Sequence, residues 1–201
     1  MSFDLLTEEQ REIRELVRTL ASEKIAPRAA EIDESHEFPW DVVDVFRDHD
    51  IFALLFGEKY GGTGTGTLLA LVAMEEVSKV CATSGLILAV QELGSLGIKL
   101  AGNEEQKQRY LPRIARGELR LQAFAVTEPD SGTDTAAITT TARRDGDRYI
   151  IRGRKIWTSY AHSADWIFVL ARMEGAGQAT GRGGVTVFLM PTKTPGLSFK
   201  T

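Results

Sequence analysis

The chain has 201 residues, 43% of them hydrophobic and 26% charged, with a formal net charge of −4; this describes a globular chain with room for one large or two small cores and excludes a disordered one. No run approaches the ~18 to 20 uninterrupted apolar residues of a transmembrane helix, and the N-terminal MSFDLLTEEQ is acidic where a signal or transit peptide is basic, so a cytoplasmic location is expected. Cys81 is the only cysteine and the 3 histidines are scattered, which excludes an intrachain disulfide and leaves no metal site to propose.

Residues 1–60 hold 7 Lys/Arg against 15 Asp/Glu, whereas 121–201 hold 10 against 7. The basic run of Arg143, Arg144 and Arg148 to Lys155 is interleaved with strand-like apolar residues, the pattern of a solvated sheet face, and no basic stripe invites nucleic acid.

In chain order, the first half has a helical period. Thr7-Glu8-Glu9-Gln10 is a capping box, followed on one face by Ile13, Leu16, Val17, Leu20 and Ile25. Pro27 should kink or end this helix. Pro39 opens a second helix running to about Asp50. A glycine-rich loop, GEKYGGTGTGT (57–67), precedes helices from Leu68 to Val80 and from Thr83 to Ala101. Asn103 with Gln106 caps a last helix that runs to Arg116 and stops at Gly117.

Beyond residue 118 the period changes. LRLQAFAV (119–126), DRYIIRG (147–153), DWIFVLARM (165–173) and GVTVFLM (184–190) read as strands, with a hairpin turn at Asp145-Gly146 and a long mobile loop at EGAGQATGRGG (174–184). GLSFKT at the end reads as the start of a further strand, so the β domain is expected to be incomplete. The expected fold is therefore α+β: an all-α N-terminal domain over 1–118, then a β-barrel-like, incomplete middle domain over 119–201.

Between strands lies AFAVTEPDSGTDTAA (123–137). It has no phosphate-cradle spacing, and Glu128, Asp130 and Asp134 would repel an exposed phosphate. Thr127 and Thr133 offer hydroxyls, Gly132 admits a flat ligand close to the backbone, and Pro129 stiffens the turn after Glu128. About thirty residues on, Trp157 stands beside Thr158 and Ser159. An aromatic face next to neutral donors is what a flavin ring requires. Each signal has a plainer explanation when taken alone: turn capping for the threonines, an edge aromatic for Trp157, a structural loop carboxylate for Glu128, a satisfied loop histidine for His162.

The ordered set YGGTGTG, LAGNEEQKQRYLPRIARGE, FAVTEPDSGTD, DGDRYIIRGRKIWTS and ADWIFVLAR resembles the N-terminal and middle domains of the acyl-CoA dehydrogenase family, over essentially all 201 residues. The resemblance implies a flavoprotein oxidoreductase of fatty-acid and lipid metabolism that oxidises acyl-CoA to trans-2-enoyl-CoA. It implies FAD contacts from Phe124, Ala125, Val126, Thr127, Gly132, Thr133, Trp157, Thr158 and Ser159, with Thr133 also near the substrate thioester. By rough register Leu86, Val90 and Leu93 would line the acyl chain, with plain helix packing as the equal alternative. Asp130 stands where the family often has glycine, and Tyr160 where asparagine or glycine is common. The family's catalytic base is a glutamate of a C-terminal helical bundle, to which no residue here corresponds, so no catalytic residue is assigned. An electron-transfer flavoprotein as electron acceptor and a homodimer or homotetramer are also implied. An acyl-CoA oxidase or related flavin monooxygenase of the same fold, and a non-catalytic domain binding nucleotide or a partner subunit, are the alternatives.

Overall fold

The computed structural model describes residues 6–120, 123–175 and 183–200, and the chain divides into two compact units, Met1–Leu119 and Arg120–Thr201.

The first unit is helical. Its helix α1 (Glu8–Leu20) opens on the reciprocal capping box, with the Gln10 amide donating to Thr7 Oγ1 at 3.2 Å and the Thr7 amide donating to Gln10 Oε1 at 3.0 Å. Proline at 27 can offer no amide and crowds the carbonyl one turn back. The winding accordingly widens to a π turn over Ala21–Ile25, tightens to a 3-10 turn over Ala26–Arg28, and resumes as α2 (Ala29–Ser35). Helix α3 (Trp40–Asp48) follows Pro39, and α4 (Gly66–Val80) and α5 (Ala82–Ala101) follow the glycine-rich segment. Helix α6 (Glu104–Ala115) starts on a second reciprocal box, Asn103 with Gln106, and the chain turns away at Gly117, whose φ is +67°.

The core gathers Val17, Phe46, Phe52, Leu69, Ile87 and Ile114. Helix α1 is tied to α4 by an ion pair: Arg18 donates to both Glu76 oxygens at 2.9 and 3.0 Å, and Lys79 donates to Oε1 at 2.9 Å. The Arg18 guanidinium, opposed by burial and joined by Lys79, holds the Glu76 carboxyl down at about 2. Helix α5 is long and apolar enough to cross a membrane by length and composition, although Gln91, Glu92 and Lys99 interrupt its apolar run and half of that stretch is buried. Its buried Gln91 donates to the Leu119 carbonyl at 2.9 Å, as suits a core helix.

The second unit is a five-stranded mixed sheet of β1 (Ala123–Ala125), β2 (Thr141–Asp145), β3 (Arg148–Arg152), β4 (Trp166–Met173) and β5 (Val185–Pro191). The sheet does not close into a barrel among the described residues. β4 is the hub. β5 pairs with it antiparallel from Trp166 to Arg172. β1 pairs with it parallel at Ile167–Val169, and β2 pairs with it parallel at Arg172–Met173. β1 and β2 thus lie end to end along one edge of β4, and β3 completes the sheet antiparallel to β2.

Several strand expectations shift. Of the expected strand at 119–126 only Ala123–Ala125 is paired, and Leu121 and Gln122 lie outside the described residues. The strand at Thr141–Asp145 was not foreseen, because TARRD buries only Ala142 and shows no apolar alternation. The hairpin loop is Gly146-Asp147, one residue later than expected, since Asp145 already pairs with Arg148; Gly146 has φ +62°. Thr192 to Lys200 form turns and irregular chain in place of the expected strand start at GLSFKT. Most of the expected loop at 174–184 lies outside the described residues.

Candidate cofactor site

Because β1 and β2 flank the same edge of β4, residues 126–140 leave that edge and return to it. The excursion is braced from within. Glu128 and Ser131 exchange backbone hydrogen bonds at 2.8 and 3.2 Å around Pro129-Asp130, a turn with proline at its second position. Ser131 Oγ donates to the Asp134 carbonyl at 2.8 Å, and Asp134 Oδ1 accepts from the Ala136 amide at 3.1 Å. Asp130 is not among the positive-φ residues, so the backbone does not demand a glycine there.

Glu128 points inward and is 3% exposed. Its Oε2 accepts from the Thr139 amide at 2.6 Å and the Thr139 hydroxyl at 2.7 Å; its Oε1 accepts from the Thr140 amide at 2.9 Å and from Lys155 Nζ at 2.8 Å. Burial opposes its charge, but Lys155, Thr140 and Thr139 outweigh burial and hold the carboxyl well below the usual range. Glu128 is a structural anion, unsuited to accept a proton near neutral pH. Sequence reasoning placed Lys155 in a solvated basic run; its side chain is in fact 10% exposed and also donates to the Val126 carbonyl at 2.9 Å. The remaining signal for it was its place just before the apolar pair Ile156-Trp157, after Arg154.

A second bond closes the junction, from the Ile156 amide to the Thr127 carbonyl at 2.9 Å. The segments carrying Thr127 and Trp157 therefore run side by side. Trp157 and Tyr160 have φ of +58° and +56°, a left-handed backbone that costs a non-glycine residue about 1 to 3 kcal/mol. The carbonyl of Tyr160 accepts from the amides of Ser163 and Ala164 at 3.0 Å, closing the turn. Trp157 is 86% exposed.

About half of the amides between Val126 and Thr140 have internal partners among the described residues. Among the described residues, those of Thr127, Gly132, Thr133, Trp157, Thr158 and Ser159 have none, and neither have the hydroxyls of Thr127, Thr133, Thr158 and Ser159. A Cβ at Gly132 would meet nothing within 4 Å among the described residues, so no neighbour among them explains a glycine there. An unspent row of neutral donors beside an outward-held indole fits a flat, hydrogen-bonding heterocycle such as a flavin.

The other expected residues are distributed less simply. Phe124 projects from the opposite face of β1 to the buried Ala123 and Ala125, and its ring meets Phe168 edge-on at 6.2 Å. A groove of about 1530 Å³ on the Ala125 side takes in Trp157, Thr158, Ser159 and His162, but not Thr127, Gly132 or Thr133. In the helical unit, Leu86 and Leu93 are 40% and 41% exposed, whereas Val90 is 8% exposed and packs inward. Val90 thus does not share an open face with the two leucines.

Residues 7–118 match the N-terminal domain of acyl-CoA dehydrogenase and residues 123–201 its middle domain. The chain is 40% identical to a cyclohex-1-ene-1-carbonyl-CoA dehydrogenase of Syntrophus aciditrophicus over 96% of its own length and 46% of that protein's. It is 38% identical to a short-chain specific acyl-CoA dehydrogenase of Clostridium acetobutylicum, over 98% of this chain and 51% of that one. A glutaryl-CoA dehydrogenase of Mycobacterium smegmatis, solved in complex with FADH2, superposes with a TM-score of 0.86 at 29% identity, covering 98% of this chain and 49% of that one. The chain spans about half the length of the relatives it matches. With both units matched in order, it belongs to the acyl-CoA dehydrogenase family.

Proposed function

We propose that this chain supplies the flavin-facing part of an FAD-dependent acyl-CoA dehydrogenase, which converts an acyl-CoA thioester to its trans-2-enoyl product. The observation that carries the reading is the junction of the Thr127 and Trp157 segments through the Ile156 amide, with unpaired donors on both sides of it. FAD, when bound, supplies the two-electron acceptor for the bond being oxidised. The chain's own residues would hold it: Thr127 and Ser159 through hydroxyls to the ring's polar edge, Trp157 against its face, and Gly132 and Thr133 through backbone amides. Thr133 would also bond the thioester region, and its extra methyl, where the family has serine, leaves that hydroxyl chemistry intact. In the helical unit, Leu86 and Leu93 are the better acyl-chain contacts, and Val90 is a packing residue.

Removing the α proton of a thioester requires a base. Glu128, ionised and committed to Lys155, Thr139 and Thr140, is not it. The family likeness assigns that role to a glutamate of a C-terminal helical bundle, and it names an electron-transfer flavoprotein as electron acceptor. The test is the visible spectrum of the purified chain with FAD, before and after anaerobic addition of a panel of acyl-CoA thioesters. Bound FAD with a perturbed visible band supports the cofactor assignment, and bleaching by a thioester adds catalysis. Absence of any FAD binding would sink it.

A further inference from the structure

The feature this reading does not use is the buried ammonium of Lys155. It donates to Val126 and to Glu128 on the loop that follows β1, at 2.9 and 2.8 Å, from the segment that carries Trp157. Glu128 in turn reaches the far end of the same excursion, at Thr139 and Thr140, just before β2. One ion pair therefore fastens the start of the 126–140 excursion, its end, and the Trp157 turn. The only other link between the Thr127 and Trp157 segments among the described bonds is the single backbone bond from Ile156 to Thr127. The pair is electrically neutral and faces inward, so it offers the ligand no charge of its own.

We propose that Lys155 is a positioning residue for the cofactor: with Glu128 it fixes the separation between the Thr127 and Trp157 segments, so that donors on both address one ligand. Methionine at 155 would keep the apolar stem and lose both bonds. The Ile156 amide then exchanges faster with solvent, because its partner strand of chain is no longer held, while the Val169 amide in β4 is unaffected. FAD affinity falls in step. Removing the residue behind a ligand's direct contacts lowers metal affinities by roughly 10- to 100-fold, and the same order is expected here.

This rests on the flavin assignment above, and the experiment separates the two. Amide exchange at Ile156 and Val169, and FAD affinity by quenching of flavin fluorescence, are measured for the unaltered chain, Lys155→Met and Glu128→Gln. The glutamine variant keeps the shape and serves if Lys155→Met fails to fold by circular dichroism. Loss of protection at Ile156 alone, together with weaker FAD binding and a shifted visible band, is the expected result. Loss of protection with unchanged FAD affinity would make the pair purely structural, and retained protection would remove its role altogether; either overturns the proposal. Failure of the unaltered chain to bind FAD would overturn the flavin assignment and this inference with it, and it is distinguishable because it appears without any substitution.

Discussion

Lys155 and Glu128 stand on separate loops and meet at 2.8 Å with side chains 10% and 3% exposed. Such a pair gives little net stability when intact, but removing one partner strands a buried charge, at about 3 to 5 kcal/mol. Glu128→Ala should therefore lower the stability of the second unit by about that much, read by urea denaturation. A loss under about 1 kcal/mol would mean that water reaches Lys155 freely.

Glu76 gives a pH prediction for the helical unit. Its carboxyl is lowered from 4.5 to about 2 by Arg18 and Lys79 against burial. A depressed folded pKa gives stability that is complete above the unfolded value and is lost as pH falls from there through the folded value. Stability should therefore drop between about pH 5 and pH 2, by on the order of 2 to 3 kcal/mol from this group. Glu76→Gln should flatten that portion of the curve in an acid titration of the melting temperature. Glu128 carries the same sign, its shift also being downward.

Trp157 should separate stability from binding. Trp157→Gly relieves a φ of +58° at a side chain that is 86% exposed, so thermal stability should hold or rise by up to about 1 kcal/mol. FAD affinity should fall, because the aromatic wall is gone. A parallel loss of stability and binding would show that the indole is a packing element.

Gly132→Ala tests the open side of the loop. With nothing among the described residues within 4 Å of the new Cβ, stability should change by less than about 0.5 kcal/mol. If FAD approaches this backbone, its affinity should drop measurably. An unchanged affinity would remove residue 132 from the site.

Gly153→Ala should behave oppositely. Its Cβ would fall 2.2 Å from Thr140 Oγ1 and 2.6 Å from Thr140 Cβ, an overlap that should cost about 1 to 3 kcal/mol or more and disturb the loop held by Glu128. Differential scanning calorimetry of the variant checks this, and a neutral result would mean that β2 and the segment after β3 can move apart.

What the sequence alone determined was local. Both capping boxes, the break around Pro27, the helix from 104 to 115 and the strands at 148–152, 166–173 and 185–191 follow from neighbours three or four residues apart or from alternation along a strand. So did the residue types of the site, since hydroxyls, small residues and an aromatic at two strand ends are visible as text. Tertiary structure decided what depends on distant partners. The strand at Thr141–Asp145 exists because β4 and β3 pair with it, not because TARRD is apolar. Val90 differs from Leu86 and Leu93 by which side of α5 the core occupies. Lys155 reads as one more surface cation until folding places it beside Glu128, 27 residues away in the chain, because electrostatic pairing is set by distance in space and leaves no periodic trace in sequence.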